Sequence, residues 1–234
     1  MPSLPSAVRF GGAKERSSKN QKREKPHTRE TVQPHDRGCT VLQNGWIFSQ
    51  YEAIMKKEFC QSELSEGGKK MKYRNVSVNE AEQFWNLMNQ LDYETKYMLY
   101  EPGERTKNLP RIESLIRDSV EGEDFLLAAE AENGLIGYIS AQKGRLKRIA
   151  HSAYIVVGIL REYRGKGIGT EFFKRLDIWA AEKKITRLEL TVICENEAAK
   201  RLYLKSGFEI EGIKRKSVCV DGEYLDEFYM AKVR

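Results

Sequence analysis

Arg164-Gly165-Lys166-Gly167-Ile168-Gly169 stands between a strongly apolar run, Ile155-Val156-Val157-Gly158-Ile159-Leu160, and an amphipathic stretch that starts near Ile168. The run predicts a buried strand and the stretch a helix, so the six residues form a strand-to-helix loop. A helix start leaves backbone N–H groups without intrahelical partners and carries about half a positive charge. Phosphate oxygens fit there. Glycines at 165, 167 and 169 remove Cβ atoms that would keep a pyrophosphate from the backbone, and they allow positive φ where the chain wraps an anion. Arg164 and Lys166 add charge at the rim.

Two nucleotide loops fail against this stretch. A Walker loop ends in Gly-Lys-Ser/Thr, which is absent, and a dinucleotide fingerprint needs Gly-x-Gly-x-x-Gly where this chain has Gly-x-Gly-x-Gly. Arg-x-x-Gly-x-Gly after a strand is instead similar to the coenzyme A pyrophosphate loop of the GNAT superfamily of N-acetyltransferases. A second motif, Asn196-Glu197-Ala198-Ala199-Lys200-Arg201-Leu202-Tyr203-Leu204-Lys205-Ser206-Gly207-Phe208, resembles that family's Asn-x-x-Ala-x-x-Leu-Tyr-x-x-x-Gly-Phe throughout.

Outward from the loop, the element pattern is legible. Lys72 to Val78 alternates like a strand, and Asn79 is placed to cap a helix bearing Ala81, Phe84, Trp85, Leu87, Met88 and Leu91. A second helix runs from Leu109 or Pro110 to Ser119. Phe125 to Ala131 and Leu135 to Gln142 are strands joined at Glu132-Asn133-Gly134, a hairpin signal. Ser152 to Leu160 is the next strand. The helix after the loop is followed by a buried strand over Leu188 to Ile193 and a helix from Glu197 to Ser206 that stops at Gly207. Phe208 to Arg234 reads as two strands around Asp221-Gly222.

That order resembles the GNAT fold over residues 71 to 234. The resemblance implies an α+β, three-layer architecture: a mixed central sheet of about seven strands, splayed between two central strands and flanked by about four helices. The implied donor is acetyl-CoA as cosubstrate. Its pantetheine arm would pair with backbone groups near Val157 and Ile159, its pyrophosphate with N–H groups from Arg164 through Gly165, Lys166, Gly167, Ile168 and Gly169 to Thr170. Asn196 would hydrogen-bond the arm. Tyr203 stands where many family members protonate the departing thiolate, and a phenol, with a pKa near ~10, holds its proton at pH 7.

The general base is left open. Protein N-terminal acetylating relatives often carry a glutamate twelve residues before the tyrosine, whereas this chain has Thr191. Glu189, His151, Asp226 and Glu227 are the candidates. Asp92, Glu94, Glu101, Glu104, Glu223, Asp226 and Glu227 would make the acceptor side acidic, favouring cationic amines, with Tyr93, Tyr97, Tyr100 and Tyr224 for cation–π contacts. Asp221-Gly222-Glu223-Tyr224 followed by Asp226-Glu227-Phe228-Tyr229-Met230 looks similar to the branch that includes ribosomal-protein N-terminal acetyltransferases.

Composition bounds the rest. The chain has 234 residues and a net charge of +6, but residues 1 to 70 hold 13 Lys/Arg against 8 Asp/Glu, and residues 71 to 234 hold 27 against 26. The C-terminal part is nearly neutral, so no nucleic acid is expected for the domain. Residues 1 to 70 read as a disordered or weakly structured basic extension, with a short helix over 41 to 59. Ser65-Glu66-Gly67-Gly68-Lys69-Lys70-Met71 also reads as the in-frame translation of a purine-rich ribosome-binding site, spacer and start codon, which makes Met71 the expected start. Cys39, Cys60, Cys194 and Cys219 lack close pairing or metal-ligand spacing, so free thiols in a reducing cytoplasm and no metal are expected. No apolar run is long enough to cross a bilayer as a helix, and no membrane partner is expected. The partner expected is an amine, of a small molecule or a protein; a homodimer is left open. The competing readings are a CoA-binding sensor or accessory module without turnover, and an RNA-binding protein acting through the basic tail.

Overall fold

Asn133-Gly134 makes the first tight turn, with Gly134 at φ 111°, and joins β3 (Phe125–Ala131) to β4 (Gly134–Lys143). β4 pairs antiparallel with β5 (Ser152–Ile159). The computed structural model describes residues 62–66 and 69–234. Among them, eight strands form one sheet, ordered β1-β2-β3-β4-β5-β6-β8-β7. The remaining elements are β1 (Ser62–Glu66), β2 (Lys69–Arg74), α1 (Ala81–Glu94), α2 (Leu109–Val120), α3 (Ile168–Glu182), β6 (Arg187–Ile193), α4 (Glu197–Lys205), β7 (Glu209–Val220) and β8 (Glu223–Val233).

The seven strands read from the sequence are present with the four helices. The eighth is β1, which pairs antiparallel with β2 through Leu64 opposite Met71, so the sheet reaches upstream of Met71. The rest of the 1 to 70 segment, with its short helix over 41 to 59, lies outside the described residues.

The helices lie on two faces. On one, Phe84 of α1 meets the Tyr138 ring edge-on with centroids 5.1 Å apart, and Leu91 approaches Gly158 so closely that a Cβ there would sit 2.6 Å from its Cδ1. On the other, Phe172 of α3 meets Tyr73 of β2 at 5.8 Å. Strand alternation puts Tyr138 and Gly158 on one face and Tyr73, Ile139 and Ile155 on the opposite one. α4 packs beside α3, with Tyr203 against Phe173 at 5.7 Å. Among the described residues no helix is long and apolar enough to cross a membrane.

Local chemistry explains the boundaries. The cap before α1 is Ser77 rather than Asn79: its N–H donates to the Glu80 carboxylate at 2.8 Å and a short 3-10 turn, Val78–Glu80, leads into the helix. Asn108 caps α2 by accepting from the Arg111 N–H at 3.1 Å. α4 ends at Gly207, φ 88°, where the N–H groups of Gly207 and Phe208 donate to the carbonyls of Leu204 and Tyr203, each at 3.0 Å. This paired closure satisfies carbonyls that the helix end would leave open. Asp221 and Gly222, both at positive φ, turn β7 into β8.

Candidate active site

β5 and β6 run parallel and pair only over Ser152 to Tyr154 and Arg187 to Glu189. Beyond those residues the two strands separate. In an antiparallel ladder hydrogen-bonded pairs alternate with pairs that are not. Leu160 N–H donates to the Ile136 carbonyl at 3.0 Å, which makes Tyr138/Gly158 and Ser140/Val156 the bonded pairs of β4 and β5. Ile155, Val157 and Ile159 therefore turn their backbone groups away from β4, into the gap that β6 leaves. At Ile159 the carbonyl is already taken by Arg164 Nε at 2.9 Å, so Val157 offers both its N–H and its carbonyl and Ile159 its N–H.

The loop that follows carries φ 76° at Gly165 and 79° at Gly167, which is the N-cap of α3. A Cβ at either would meet nothing within 4 Å, so these two glycines answer a backbone requirement and leave open space above the loop. Gly169 differs. It lies inside α3, and an added Cβ would sit 2.6 Å from Leu202 Cδ2, so its missing side chain lets α4 approach. The first helical N–H with a backbone acceptor is that of Glu171, bonded to Gly167 O at 3.1 Å, leaving those of Ile168, Gly169 and Thr170 as an open first turn. Arg164's own N–H is spent on the Arg161 carbonyl at 3.2 Å, which removes it from the expected set of anion donors. The Lys166 ammonium stands 4.9 Å from the centroid of the Tyr163 ring.

A cavity of about 710 Å³ opens at the separation of β5 and β6. Tyr154, Val156, Val157, Thr191, Ile193, Tyr203 and Glu227 line it, together with residues 84, 88 and 92 to 94 of α1 and residues 95 to 102 and 105 of the segment that follows. The loop from Arg164 to Thr170, Ile159 and Asn196 lie outside that lining. Asn196 caps α4, its side-chain oxygen accepting from the Ala199 N–H at 3.2 Å. Tyr203 reaches the cavity from the α3 and α4 face and is 7% exposed. Burial, and secondarily the neighbouring Tyr154, pushes its phenol well above the usual range.

The base candidates separate by position. His151 precedes β5 and Glu189 pairs with Tyr154, both at the closed end of the strand pair, and Glu189 is tied to Arg187 at 2.7 Å. Asp226 accepts from the Lys216 N–H at 2.8 Å and does not line the cavity. Glu227 alone of the four lines it. Burial pushes the Cys194 thiol up, which disfavours the thiolate a nucleophile needs.

The acidic wall read from the sequence is largely neutralised. Asp92 is buried, 1% exposed, and accepts from Arg105 through both carboxylate oxygens, Arg105 Nη2 at 3.0 Å from Oδ1. Glu94 is engaged by the Arg161 N–H at 2.6 Å. Glu104, Glu223 and Asp226 lie outside the lining, as does Tyr224. Tyr100 and Tyr97 already carry cations of this chain over their rings, Arg105 at 4.3 Å and Lys96 at 5.9 Å. Sequence reasoning missed Tyr154, whose hydroxyl meets Thr191 Oγ1, and Arg161. An aromatic alternating outward from an apolar strand was the available signal for Tyr154. Among the described residues no group of three or more His, Cys, Asp or Glu side chains is placed to hold a metal.

Comparison with known proteins adds the following. The profile of the acetyltransferase (GNAT) family matches residues 85–208. The chain is 30% identical over 112 residues to L-amino acid N-acetyltransferase AaaT of Escherichia coli (strain K12), covering 46% of this chain and 67% of that protein. An acetyltransferase of the GNAT family from Streptococcus pneumoniae superposes with a TM-score of 0.67 at 23% identity, over 70% of this chain and 99% of the other. The putative acetyltransferase yncA from Salmonella typhimurium, solved with its cofactor acetyl-CoA, gives a TM-score of 0.62 at 18% identity, over 70% of this chain and 93% of that one.

Proposed function

The chain belongs to the acetyltransferase (GNAT) family and is an N-acetyltransferase, and from that premise we propose that it moves the acetyl group of acetyl-CoA onto a primary amine by direct attack in a ternary complex. The acceptor is a small molecule or a protein amine. The observation that carries the reading is Tyr203, a protonated phenol lining the cavity where the two central strands part.

The donor site fits the family's cosubstrate. Positive φ at Gly165 and Gly167 with empty space above them, the open first turn of α3 and Lys166 at the rim suit a pyrophosphate. The unpaired backbone of Val157 and the N–H of Ile159 suit an amide-bearing arm laid between β5 and β6, with the side-chain N–H groups of Asn196 as a further contact. Acetyl-CoA supplies a thioester carbonyl open to an amine and a thiolate that leaves readily.

The chain's own groups then have distinct tasks. Backbone N–H groups along β5 stabilise charge growing on the carbonyl oxygen. Tyr203 Oη keeps a proton for the departing sulfur, because burial disfavours the phenolate. The cysteines fit no covalent step, and their spacing supports a reducing cytoplasm as the working compartment. The C-terminal hairpin, similar to the ribosomal-protein branch, supports peptide N-termini among the acceptors, and the amino-acid acetyltransferase relative supports small amines.

The test is thiol release by the full chain with acetyl-CoA and a panel of spermidine, L-methionine, L-phenylalanine and a peptide with a free N-terminal alanine. Amine-dependent release, with the acetylated product seen by mass, is the expected result. Acetyl-CoA binding without release across the panel would overturn the reading.

A further inference from the structure

The reaction requires a group that takes the proton of the incoming ammonium. We propose that this group is Glu227 of β8, which acts as the catalytic base on the acceptor side. This rests on the acyl-transfer reading above.

Register carries the assignment. β6 and β8 pair antiparallel with Thr191 opposite Tyr229 and Ile193 opposite Glu227. Glu227 is thus the diagonal neighbour of Thr191, a spacing of about 7–8 Å between Cα atoms that a glutamate side chain spans. Residues two apart on a strand, and residues directly opposite across a ladder, share a face. Thr191, Ile193 and Glu227 therefore share one face, and pairing of Tyr154 with Glu189 makes it the face that Tyr154 and Val156 occupy, under α1. All five of Tyr154, Val156, Thr191, Ile193 and Glu227 line the cavity. Tyr203 enters from the opposite face, beside Phe173 of α3. Acid and base consequently stand on opposite faces of the strand opening, so the amine's proton and the departing sulfur are served by separate groups.

The carboxylate is also held. Its side chain is 12% exposed, one oxygen accepts from the Ser217 hydroxyl, and the Lys214 ammonium lies at 3.4 Å. A carboxylate fixed by two donors still has lone pairs free to accept a proton, directly or through one water.

The step balances. The ammonium gives one proton to Glu227 and gains a lone pair, which forms the N–C bond as the C–S bond breaks. Tyr203 gives its proton to the departing sulfur, the second proton lost by nitrogen restores the phenol, and Glu227 returns its own to water.

The test compares the unaltered chain with Glu227→Gln, with Glu189→Gln, and with Glu227→Gln carrying Thr191→Glu. The assay uses acetyl-CoA and whichever of spermidine, L-methionine, L-phenylalanine or the alanine peptide the unaltered chain turns over fastest. Glu227→Gln is expected to lower kcat about 100-fold while the Kd for acetyl-CoA, from calorimetry, stays within about twofold. Thr191→Glu is expected to recover about tenfold of that loss by restoring a carboxylate on the same face. Glu189→Gln, outside the cavity, is expected to leave kcat unchanged. The assignment is overturned by Glu227→Gln within about threefold of the unaltered kcat, by an equal fall in Glu189→Gln, by a loss that Thr191→Glu does not relieve, or by parallel loss of acetyl-CoA affinity. Absence of turnover by the unaltered chain would instead defeat the acyl-transfer reading itself, and this inference with it.

Discussion

The hydroxyls of Tyr154 and Thr191 lie 3.0 Å apart at the place where β5 and β6 stop pairing. Backbone hydrogen bonds hold the two strands together up to Tyr154 and Glu189; this side-chain contact is the next link and marks the apex of the opening. Tyr154→Phe removes it. The expected cost in chemical denaturation is about 0.5–1.5 kcal/mol, with KM for the amine rising more than Kd for acetyl-CoA.

Tyr203→Phe keeps the ring packing against Phe173 and Phe208 and removes only the hydroxyl. The expected result is a fall in kcat of about 100-fold with acetyl-CoA affinity within about twofold. Because burial raises the phenol, the unaltered chain keeps this proton through the neutral range and beyond. A pH profile of kcat should show no alkaline loss from this group below about pH 10, its unperturbed value.

Gly167 and Gly169 predict opposite signatures. Gly167→Ala places a side chain at φ 79° in open space, costing about 1–2 kcal/mol in backbone strain with a parallel loss of acetyl-CoA affinity. Gly169→Ala drives a methyl into Leu202 and should cost about 1–3 kcal/mol by overpacking. Adding Leu202→Ala should return part of the Gly169→Ala loss and none of the other, as read by thermal unfolding of the four variants.

Asp92 and Arg105 form an ion pair under the cavity with the carboxylate fully withdrawn from water. Asp92→Ala strands the guanidinium and should destabilise the fold by about 3–5 kcal/mol. Asp92→Leu combined with Arg105→Met should cost less than the single change, since no buried charge is left alone. Denaturant midpoints at constant slope would measure both.

Arg74 donates to Glu80 and Glu130 and holds both carboxyls below their usual range. A folded pKa below the unfolded one means stability that is present above the unfolded value, about 4.3 for Glu, and lost as pH falls through the folded values. Arg74→Gln should flatten the stability curve in that acid window and leave its slope above about pH 5 unchanged.

Element order was readable because each strand and helix carried its own period and its own stop signal. Asn133-Gly134, Asp221-Gly222 and Gly207 sit where expected, with the positive φ that the turns require. The glycine-rich loop between β5 and α3 was readable for the same reason: an open helix start is local. What local pattern cannot carry is neutralisation by distant partners. Asp92 reads as a surface acid in a polar stretch, and only the fold brings Arg105 onto it. Glu189 and Glu227 look alike in sequence; strand pairing puts one at the closed end of the β5–β6 junction and the other in the cavity. Gly169 looked like its neighbours until α4 came against it.

β8 lies between β6 and β7 in the sheet although β7 precedes it in the chain. The strand bearing Glu227 is therefore the keystone of that half: among the described residues β7 has no other strand partner, and β6 would otherwise present a bare edge. β8 is the last strand in the chain, yet it sits inside the sheet rather than at its edge. A shortened chain lacking β8 would lose the cavity wall that Glu227 forms, and would expose strand edges prone to intermolecular pairing.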